Sequence, residues 1–291
     1  MRDFDYSAPT SVAEAVRVLG QHNGTARPLA GGTDLIDQIR IGRHQPELVV
    51  DLKRLPELNV LEVSEAGLRL GAAVPCCRIR ENAAIVRHYS ALADSARIIG
   101  GIQIQSRASV GGNLCTSGPA GDSIPSLIAL GAKAVLTGPA GTREVPVEQF
   151  CTGPGKNVLQ RGEIVVELRF PGAVPHSGSS YLRFIPRNEM DIAVVSVGAA
   201  VVLDGTGQKI KSARISLGAV APTPLFAQQA SDLLAGQEPG EAAYQRAADA
   251  ARAIISPIDD MRGTREFRRH VTGVLVRRAL ETAVARARHG V

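Results

Sequence analysis

The chain has 291 residues, 44% of them hydrophobic and 21% charged, with a formal net charge of +5. This composition is that of an ordinary globular protein with apolar material for about two domains. The sequence has no uninterrupted apolar run of about 18 residues and no apolar segment near its start. We therefore expect no transmembrane helix, no signal peptide and a cytoplasmic location.

Positive charge is concentrated near the C-terminus. The arginines there are Arg262, Arg265, Arg268, Arg269, Arg277, Arg278, Arg286 and Arg288. The chain has no Trp and only 3% aromatic residues, so it lacks rings that would stack on bases, and we expect no binding of nucleic acid. We predict instead a helix whose arginines are solvated or face another subunit.

Metal and nucleophile chemistry are poorly supported by the sequence. The cysteines Cys76, Cys77, Cys115 and Cys151 form no Cys-x-x-Cys pattern, and the six histidines are scattered. No G-x-S-x-G motif occurs. We therefore assign no metal ligand and no catalytic residue, and expect any redox centre in this chain to be organic.

The first predicted elements are a helix, a strand and a glycine turn. Ser11-Val12-Ala13-Glu14 is a capping-box pattern that starts a helix with an exit at 20–24. An apolar strand over 26–29 leads into the glycine turn 30–34, with a Thr/Asp cap before a second helix. Free backbone N–H groups at such a turn suit a phosphate, although an ordinary βα turn fits the same pattern.

A second glycine-rich turn occupies residues 107–122. Strands at 49–52 and 68–74 and a helix over 78–99 precede it. The turn contains Gly111-Gly112-Asn113 and ends in Asp122-Ser123, which we interpret as the N-cap of an apolar helix. A hairpin at 133–146, a loop at 150–157 and a strand at 163–170 are predicted to follow.

The character of the sequence changes after a Pro, Gly, Ser and His run at 171–180, which we interpret as a domain boundary. A three-stranded antiparallel meander is predicted beyond it, with strands at 181–186, 192–203 and 209–220 and a turn at 204–207. Helices are predicted over 224–235, 241–254 and 264–288. This pattern indicates a compact α+β domain.

Two phosphate-binding turns about eighty residues apart imply two phosphates, or one pyrophosphate held from both sides. The Asp122 carboxylate is suited to a ribityl or ribose hydroxyl. Side-chain donors are offered by Ser109, Asn113 and Thr116. The apolar residues that could flank a ring system are Leu29, Ile104, Val165 and Val166. A dinucleotide cofactor outside the Rossmann pattern is the leading interpretation.

Several motifs resemble those of the FAD-binding medium subunits of molybdenum hydroxylases. They lie at residues 30–35, 104–113, 122–123, 152–156, 191–193 and 218–224. The resemblance runs from about residue 4 to residue 285. The Gly-Pro-Gly-Lys and Ala-Pro-Thr-Pro runs look most similar to bacterial xanthine dehydrogenase FAD subunits, with carbon monoxide dehydrogenase medium subunits more distant.

The resemblance implies an α+β protein. A VAO/PCMH-type FAD-binding domain would span residues 1–173, in two α+β subdomains at about 1–55 and 56–173. A C-terminal α+β domain similar to that of carbon monoxide dehydrogenase flavoproteins would span 178–288, with a three-stranded antiparallel sheet and helices.

The resemblance also implies an FAD site. The first turn would wrap the pyrophosphate with Pro28, Leu29, Ala30, Gly31, Gly32, Thr33, Asp34 and Leu35. The second would hold its other side with Ser109, Gly112 and Asn113. The ribityl and adenosine region would be lined by Cys115, Thr116 and Asp122. An apolar pair near the adenine or flavin edge corresponds to Val165 and Val166. Further predicted FAD-binding residues are Ile104, Ala108, Gly111 and Gly121. Arg183 stands where the family usually has a Lys near the flavin carbonyl, which keeps the charge but changes donor geometry.

The implied function is electron transfer. A large molybdopterin subunit and a small 2Fe–2S subunit would lie on other chains, in a dimer of heterotrimers. Electrons would pass from the clusters through FAD to NAD+, a quinone or oxygen. Residues 184–191 would lie beside the flavin, and residues 100–105 and the Arg-rich helix would face partners.

The resemblance favours a xanthine or purine dehydrogenase. The alternatives are a carbon monoxide, aldehyde or N-heterocycle dehydrogenase subunit, and an FAD-less binding or scaffold subunit. A standalone VAO-type oxidase would need a substrate base and a longer substrate domain, and neither is found.

Overall fold

The computed structural model describes residues 2–22 and 24–289. Met1, where the predicted N-terminal domain begins, and Asn23, within the predicted helix exit at 20–24, lie outside the described residues.

The first segment is a small parallel sheet with two helices. It consists of β1 (Asp5–Ser7), α1 (Val12–Gln21), β2 (Ala26–Leu29), α2 (Leu35–Arg40) and β3 (Leu48–Asp51). β3 is the central strand, and both neighbours run parallel to it. The Ser11 cap of α1 is confirmed, since Ser11 Oγ accepts a hydrogen bond from the Glu14 amide at 3.2 Å. The Glu14 carboxylate accepts from the Thr10 amide at 2.8 Å and not from Ser11, so the reciprocal bond of the capping box is not formed. β1 was not predicted, because three mainly polar residues carry no strand pattern.

The second segment contains a five-stranded antiparallel sheet and several short helices. Its elements are β4 (Leu61–Ser64), β5 (Gly67–Gly71), α3 (Cys76–Glu81), α4 (Ala83–His88), α5 (Ser90–Ile98), α6 (Ile102–Gln105), α7 (Val110–Thr116), α8 (Ser123–Ala129), β6 (Lys133–Gly138), β7 (Gly141–Pro146), β8 (Cys151–Gly153), β9 (Lys156–Asn157) and β10 (Ile164–Pro171). Short 3-10 turns occur at Pro56–Asn59 and Val147–Gln149. The strand order is β4-β5-β10-β6-β7, with β8 and β9 forming a separate hairpin. The predicted β6–β7 hairpin and the β10 strand are confirmed.

The single helix predicted over 78–99 is wrong, because three helices occupy this region. The break after α3 is at Asn82, whose backbone is extended (ψ 112°). Its side chain accepts a hydrogen bond from the Ile85 amide at 3.1 Å and caps α4. The Asn side chain takes a backbone N–H that would otherwise bond within a continuous helix. The spacing of apolar residues, from which the single helix was predicted, contains no information about this bond.

The exposed face of the five-stranded sheet carries a row of alternating charges. Arg69 on β5 pairs with Glu62 on β4 at 3.4 Å and with Glu167 on β10 at 2.9 Å. Arg169 pairs with Glu167 at 2.6 Å and with Glu144 on β7 at 2.8 Å. The two guanidinium groups balance the negative charge of the buried Glu167 side chain, which is 4% exposed.

The third segment is a four-stranded antiparallel sheet with three helices. Its elements are β11 (Ser177–Phe184), β12 (Val195–Leu203), β13 (Ile210–Gly218), β14 (Leu225–Phe226), α9 (Gln228–Asp232), α10 (Glu241–Ala253) and α11 (Arg265–His289). The strands are ordered β11-β12-β13-β14. Three strands were predicted, because the two residues of β14 are too few to show an alternation. The turn at 204–207 is confirmed by Asp204 Oδ1, which accepts from the Gln208 amide at 3.0 Å.

α11 is a core helix of the third segment. Its buried residues include Val276, Leu280 and Arg268, and Arg268 is 3% exposed. Arg286 pairs with Asp94 on α5 at 2.6 Å. The prediction that the arginines of this helix are solvated or face another subunit is therefore wrong for Arg268 and Arg286.

The C-terminal sheet lies between α11 on one face and α5 and α8 on the other. On β11, Ser180 Oγ donates to the Ala279 carbonyl of α11 at 2.8 Å. The preceding residue, Ser179, faces the opposite side of the sheet, and its Oγ accepts a hydrogen bond from the Ala91 amide of α5 at 3.0 Å. Because successive strand residues face opposite sides, Tyr181 and Arg183 share the face of Ser179. This face is turned toward the second glycine-rich turn.

Candidate functional site

The two glycine turns predicted from the sequence meet in the structure. A Cβ atom built on Gly31 would lie 2.0 Å from the carbonyl oxygen of Arg107, so the two backbones are too close for any side chain there. Beyond this contact, Thr116 Oγ1 at the end of α7 donates to Asp34 Oδ2 before α2 at 2.9 Å. The turns therefore form one continuous surface.

The first turn presents free backbone donors. It follows β2, with Pro28 and Leu29 at the strand end, and Gly32 adopts the left-handed conformation (φ +78°). Within the described residues, no hydrogen bond uses the amide N–H of Gly31, Gly32 or Thr33. Partly exposed, unpaired amides in a concave turn are donors that suit a phosphate oxygen.

The caps predicted on both turns are wrong in their side-chain geometry. Asp34 and Asp122 precede α2 and α8, but neither side chain makes a capping bond. Both backbones are in the right-handed helical region, whereas a capping side chain requires an extended residue. α2 has six residues and α7 has seven, so neither has a long helix dipole. The groups that would attract a phosphate here are the free backbone amides of the turns.

The second turn pairs part of its own polar groups. Ser109 is extended and its hydroxyl accepts from the Gly112 amide at 3.1 Å, which caps α7. Asn113 Oδ1 accepts from the Ser123 hydroxyl at 2.7 Å, while Asn113 Nδ2 has no acceptor within the described part of the chain. A Cβ on Gly111 would lie 2.5 Å from the Ala72 carbonyl oxygen, so this glycine permits helix-to-strand packing.

Asp122 joins the site to the C-terminal sheet. Its carboxylate accepts from Tyr181 Oη at 2.7 Å and from Arg183 Nη1 at 2.6 Å. Burial raises the pKa of Asp122, while the Arg183 charge and both hydrogen bonds act in the opposite direction. Burial and the Asp122 charge raise the pKa of Tyr181 well above its usual value, so Tyr181 remains a proton donor to the carboxylate.

The remaining predicted residues lie around this surface at different depths. Val165 is buried, and Val166 is partly buried at a bulge of β10. The Val166 carbonyl accepts from the Ala72 amide at 2.9 Å, close to the packing contact of Gly111. Burial raises the pKa of the Cys115 thiol to about 12, which makes it a packing group rather than a nucleophile.

Other predicted residues support the two turns. Ala108 is buried and its carbonyl accepts from the Cys76 amide at 2.8 Å. A Cβ on Gly121 would lie 3.2 Å from Asn113 Oδ1. Ala30, Leu35 and Ile104 are partly buried along the same turns.

Sequence reasoning missed Tyr181. It lies two residues before Arg183 on β11, and the period-two alternation of a strand places both on the face that meets Asp122. The predicted strand at 181–186 already placed Tyr181 and Arg183 on one face. The sequence did not show that Asp122 lies against that face, so Tyr181 was not recognised as a site residue.

Two family models cover most of the chain. Residues 2–173 match the FAD-binding domain in molybdopterin dehydrogenase, and residues 180–283 match the CO dehydrogenase flavoprotein C-terminal domain. The chain is an FAD-binding medium subunit of the molybdenum hydroxylase family. This confirms the predicted resemblance, the α+β fold and the cofactor FAD, whose pyrophosphate suits the unpaired amides of the first turn.

The chain is similar to family members that are named for different substrates. The carbon monoxide dehydrogenase medium chain of Hydrogenophaga pseudoflava is 35% identical over 283 residues, 97% of this chain and 98% of the relative. The xanthine dehydrogenase FAD-binding subunit of Escherichia coli O157:H7 is 31% identical over 290 residues, 99% of this chain and 98% of the relative.

A solved structure has the same fold throughout. It is the Hydrogenophaga pseudoflava carbon monoxide dehydrogenase that lacks the Mo-pyranopterin moiety of the molybdenum cofactor. The TM-score is 0.93 at 34% sequence identity, and the match covers 98% of both chains.

Neither a membrane-spanning helix nor a metal site occurs among the described residues. No helix there combines the length and apolar character needed to cross a bilayer. No group of three or more His, Cys, Asp or Glu side chains in residues 2–22 and 24–289 is arranged to hold a metal ion.

Proposed function

We propose that the chain is the FAD-carrying electron-transfer subunit of a multi-subunit molybdenum hydroxylase. The observation that carries this proposal is the convergence of two glycine turns with unpaired amides at Gly31, Gly32 and Thr33. Bound FAD supplies the acceptance and release of electrons, and the residues of this chain bind and orient it. Electrons would arrive from a small 2Fe–2S subunit and leave to NAD+ or another acceptor.

The predicted FAD-binding residues are proposed as one site. The amides of the first turn would contact the pyrophosphate, and Asn113 Nδ2 would donate from the second turn. Arg183 would contact the flavin carbonyl. In support, the hydrogen bonds of Arg183 within the described residues use only Nη1, which leaves Nε and Nη2 to donate to a ligand.

We propose a division into an FAD-binding domain over 1–173, with subdomains at about 1–55 and 56–173, and a C-terminal domain over 178–288. Two separate clusters of buried apolar residues support it. One extends from Ala15 to Phe170 and the other from Val194 to Ala287.

A partner surface is proposed beside the loop 184–191. Large apolar side chains are exposed there, including Met190 (50%), Ile192 (53%) and Ile102 (67%). Gln103 Nε2 lies 3.7 Å from Met190 Sδ, so α6 and the loop form one patch. Exposed apolar patches of this kind mark protein contacts. We assign this patch to the large molybdopterin or small 2Fe–2S subunit, in a cytoplasmic dimer of heterotrimers.

The substrate would be oxidised on a partner chain. Xanthine or another purine is the first candidate, supported by the Gly-Pro-Gly-Lys and Ala-Pro-Thr-Pro runs and by the xanthine dehydrogenase relative. Carbon monoxide is the second candidate, supported by the 35% identity to a carbon monoxide dehydrogenase medium chain.

The test is anaerobic flavin reduction in the complex isolated through a tag on this chain. Xanthine or carbon monoxide is added, and bleaching of the flavin absorbance is followed. We expect one of them to reduce the flavin in the complex and neither to reduce it in the isolated chain. Reoxidation by NAD+, quinone or oxygen then identifies the acceptor. Substrate oxidation by the isolated chain would contradict the proposal.

A further inference from the structure

The hairpin β8–β9 is fixed to the end of α7. The Gly155 amide at its tip donates to the Ser117 carbonyl at 3.0 Å. Asn157 Nδ2 donates to the Cys115 carbonyl at 2.9 Å and lies 3.3 Å from Ser117 Oγ. The hairpin is therefore held beside the end of α7, next to the Thr116–Asp34 bond.

The tip of the same hairpin reaches the exit of α2. A Cβ built on Gly155 would lie 3.7 Å from Arg43 Nη2, and Gly155 itself has φ +69°. The Arg43 amide donates to the Gln38 carbonyl at 2.9 Å, which fixes its backbone at the end of α2. One hairpin thus connects α7, within the second glycine turn, to the exit of α2, the helix after the first turn.

This junction carries two exposed cations and one carboxylate, that of Asp34, which accepts from Thr116. Lys156 on the hairpin and Arg43 beside it are both exposed. Neither takes part in any salt bridge within residues 2–22 and 24–289. Burial, and after it the charges of Arg27 and Arg43, lower the pKa of His44, which is consistent with a locally positive potential. Such a cluster attracts an anionic ligand.

Within the described residues, the hydrogen bonds that fix the hairpin to other elements come from the end of α7 and not from the C-terminal sheet. Arg183, the proposed flavin contact, pairs with Asp122 before α8. The hairpin contacts α7 at Cys115 and Ser117 and approaches Arg43, all of them in the N-terminal half of the chain. A flavin at Arg183 leaves the junction between the hairpin and Arg43 for the other half of the dinucleotide.

We propose that the β8–β9 hairpin and Arg43 form a cationic clamp on the adenosine diphosphate half of FAD, with Lys156 and Arg43 contacting it and favouring FAD over FMN. This inference rests on the proposed placement of FAD at the two turns. Neither cation is among the FAD-binding residues predicted from the sequence. The clamp is a binding and specificity device and takes no part in electron transfer.

The test measures equilibrium binding to the full chain stripped of flavin. FAD and FMN are followed by flavin fluorescence, and ADP by competition with FAD. We expect Lys156→Gln and Arg43→Gln each to weaken FAD and ADP binding about fivefold and FMN binding by less than about twofold. Wild-type affinity for FAD should also fall more steeply with salt than that of Lys156→Gln.

Matched variants separate the clamp from general charge loss. Lys156→Arg keeps the charge and should retain wild-type affinity for FAD. Lys211→Gln on β13 and Arg87→Gln on α4 remove exposed cations elsewhere and should leave FAD binding unchanged.

Two outcomes overturn the inference. An equal loss of FAD and FMN affinity would assign the cations to the phosphate that both flavins carry. Unchanged FAD affinity in both Gln variants would remove the clamp altogether. Either result leaves electron transfer standing, whereas a flavin that is not reduced within the complex contradicts the proposed function and not the clamp.

Discussion

At the residue scale, Gly31 is the position at which the two turns touch. Its Cα lies against the Arg107 carbonyl, and its own amide remains unpaired within the described residues. One residue therefore combines close backbone approach with an unpaired amide, which we propose as a donor to FAD. Gly111 differs, since its missing side chain makes room for Ala72 and not for a ligand.

Gly31→Ala should separate the two turns. The added methyl group would lie 2.0 Å from a backbone oxygen that cannot rotate away, so a backbone segment has to shift. We expect a loss of about 1–3 kcal/mol in the free energy of unfolding and at least about tenfold weaker FAD binding. Denaturant unfolding and flavin fluorescence measure the two effects.

Gly118→Ala is the matched control, because a Cβ at Gly118 would have no atom within 4 Å. It should keep both stability and FAD affinity. Wild-type FAD affinity in Gly31→Ala would show that contact between the turns is not required for the site.

At the scale of elements, α11 shows how a charged sequence can form a core helix. Arg268 Nη1 donates to the Val194 carbonyl at 2.6 Å, and Nη2 pairs with Asp260 at 2.7 Å. A buried guanidinium is stable where its donors are satisfied in this way. A helical sequence pattern predicted the helix, but the partners of Arg268 are 8 and 74 residues away in the chain.

Arg268→Leu should destabilise the third segment strongly. It leaves the Val194 carbonyl without a donor and Asp260 without its cation. We expect a loss of about 3 kcal/mol in the free energy of unfolding, measured by denaturant titration. Arg265→Leu, whose partner Asp259 is also exposed, should cost less than about 1 kcal/mol. Equal losses in the two variants would show that burial of Arg268 has no energetic weight.

At the scale of the whole molecule, polar contacts join two apolar cores. Ser216 Oγ on β13 donates to the Pro125 carbonyl of α8 at 2.5 Å. Arg286 on α11 pairs with Asp94 on α5 and donates to the Ser179 carbonyl at 2.7 Å. The site depends on this junction, because Tyr181 and Arg183 reach Asp122 across it.

Arg286→Gln should weaken the coupling between the cores. The Asp94 carboxylate, 18% exposed, would lose its cation. We expect the single thermal transition to shift down and broaden toward two, with a loss of about 2 kcal/mol, measured by scanning calorimetry. Arg278→Gln on the exposed side of α11 is the control and should melt as wild type does. A sharp, unshifted transition in Arg286→Gln would contradict this role.

The sequence by itself determined the family, the cofactor and most strands and long helices, because glycine turns and apolar alternation are local patterns. It also pointed to Gly31-Gly32 and Gly111-Gly112 as the turns of the candidate site, although Gly111 serves packing against Ala72. It did not determine helix breaks such as Asn82, where a side chain competes with the backbone ladder.

Only the tertiary structure decided what the polar side chains do. Asp122 was predicted to cap a helix, yet it binds Tyr181 and Arg183 from a sheet about sixty residues later. The C-terminal arginines were predicted to be solvated or to face another subunit, yet Arg286 joins the two cores. A side chain's hydrogen-bond partner depends on which distant element packs against it, and local sequence carries no record of that packing.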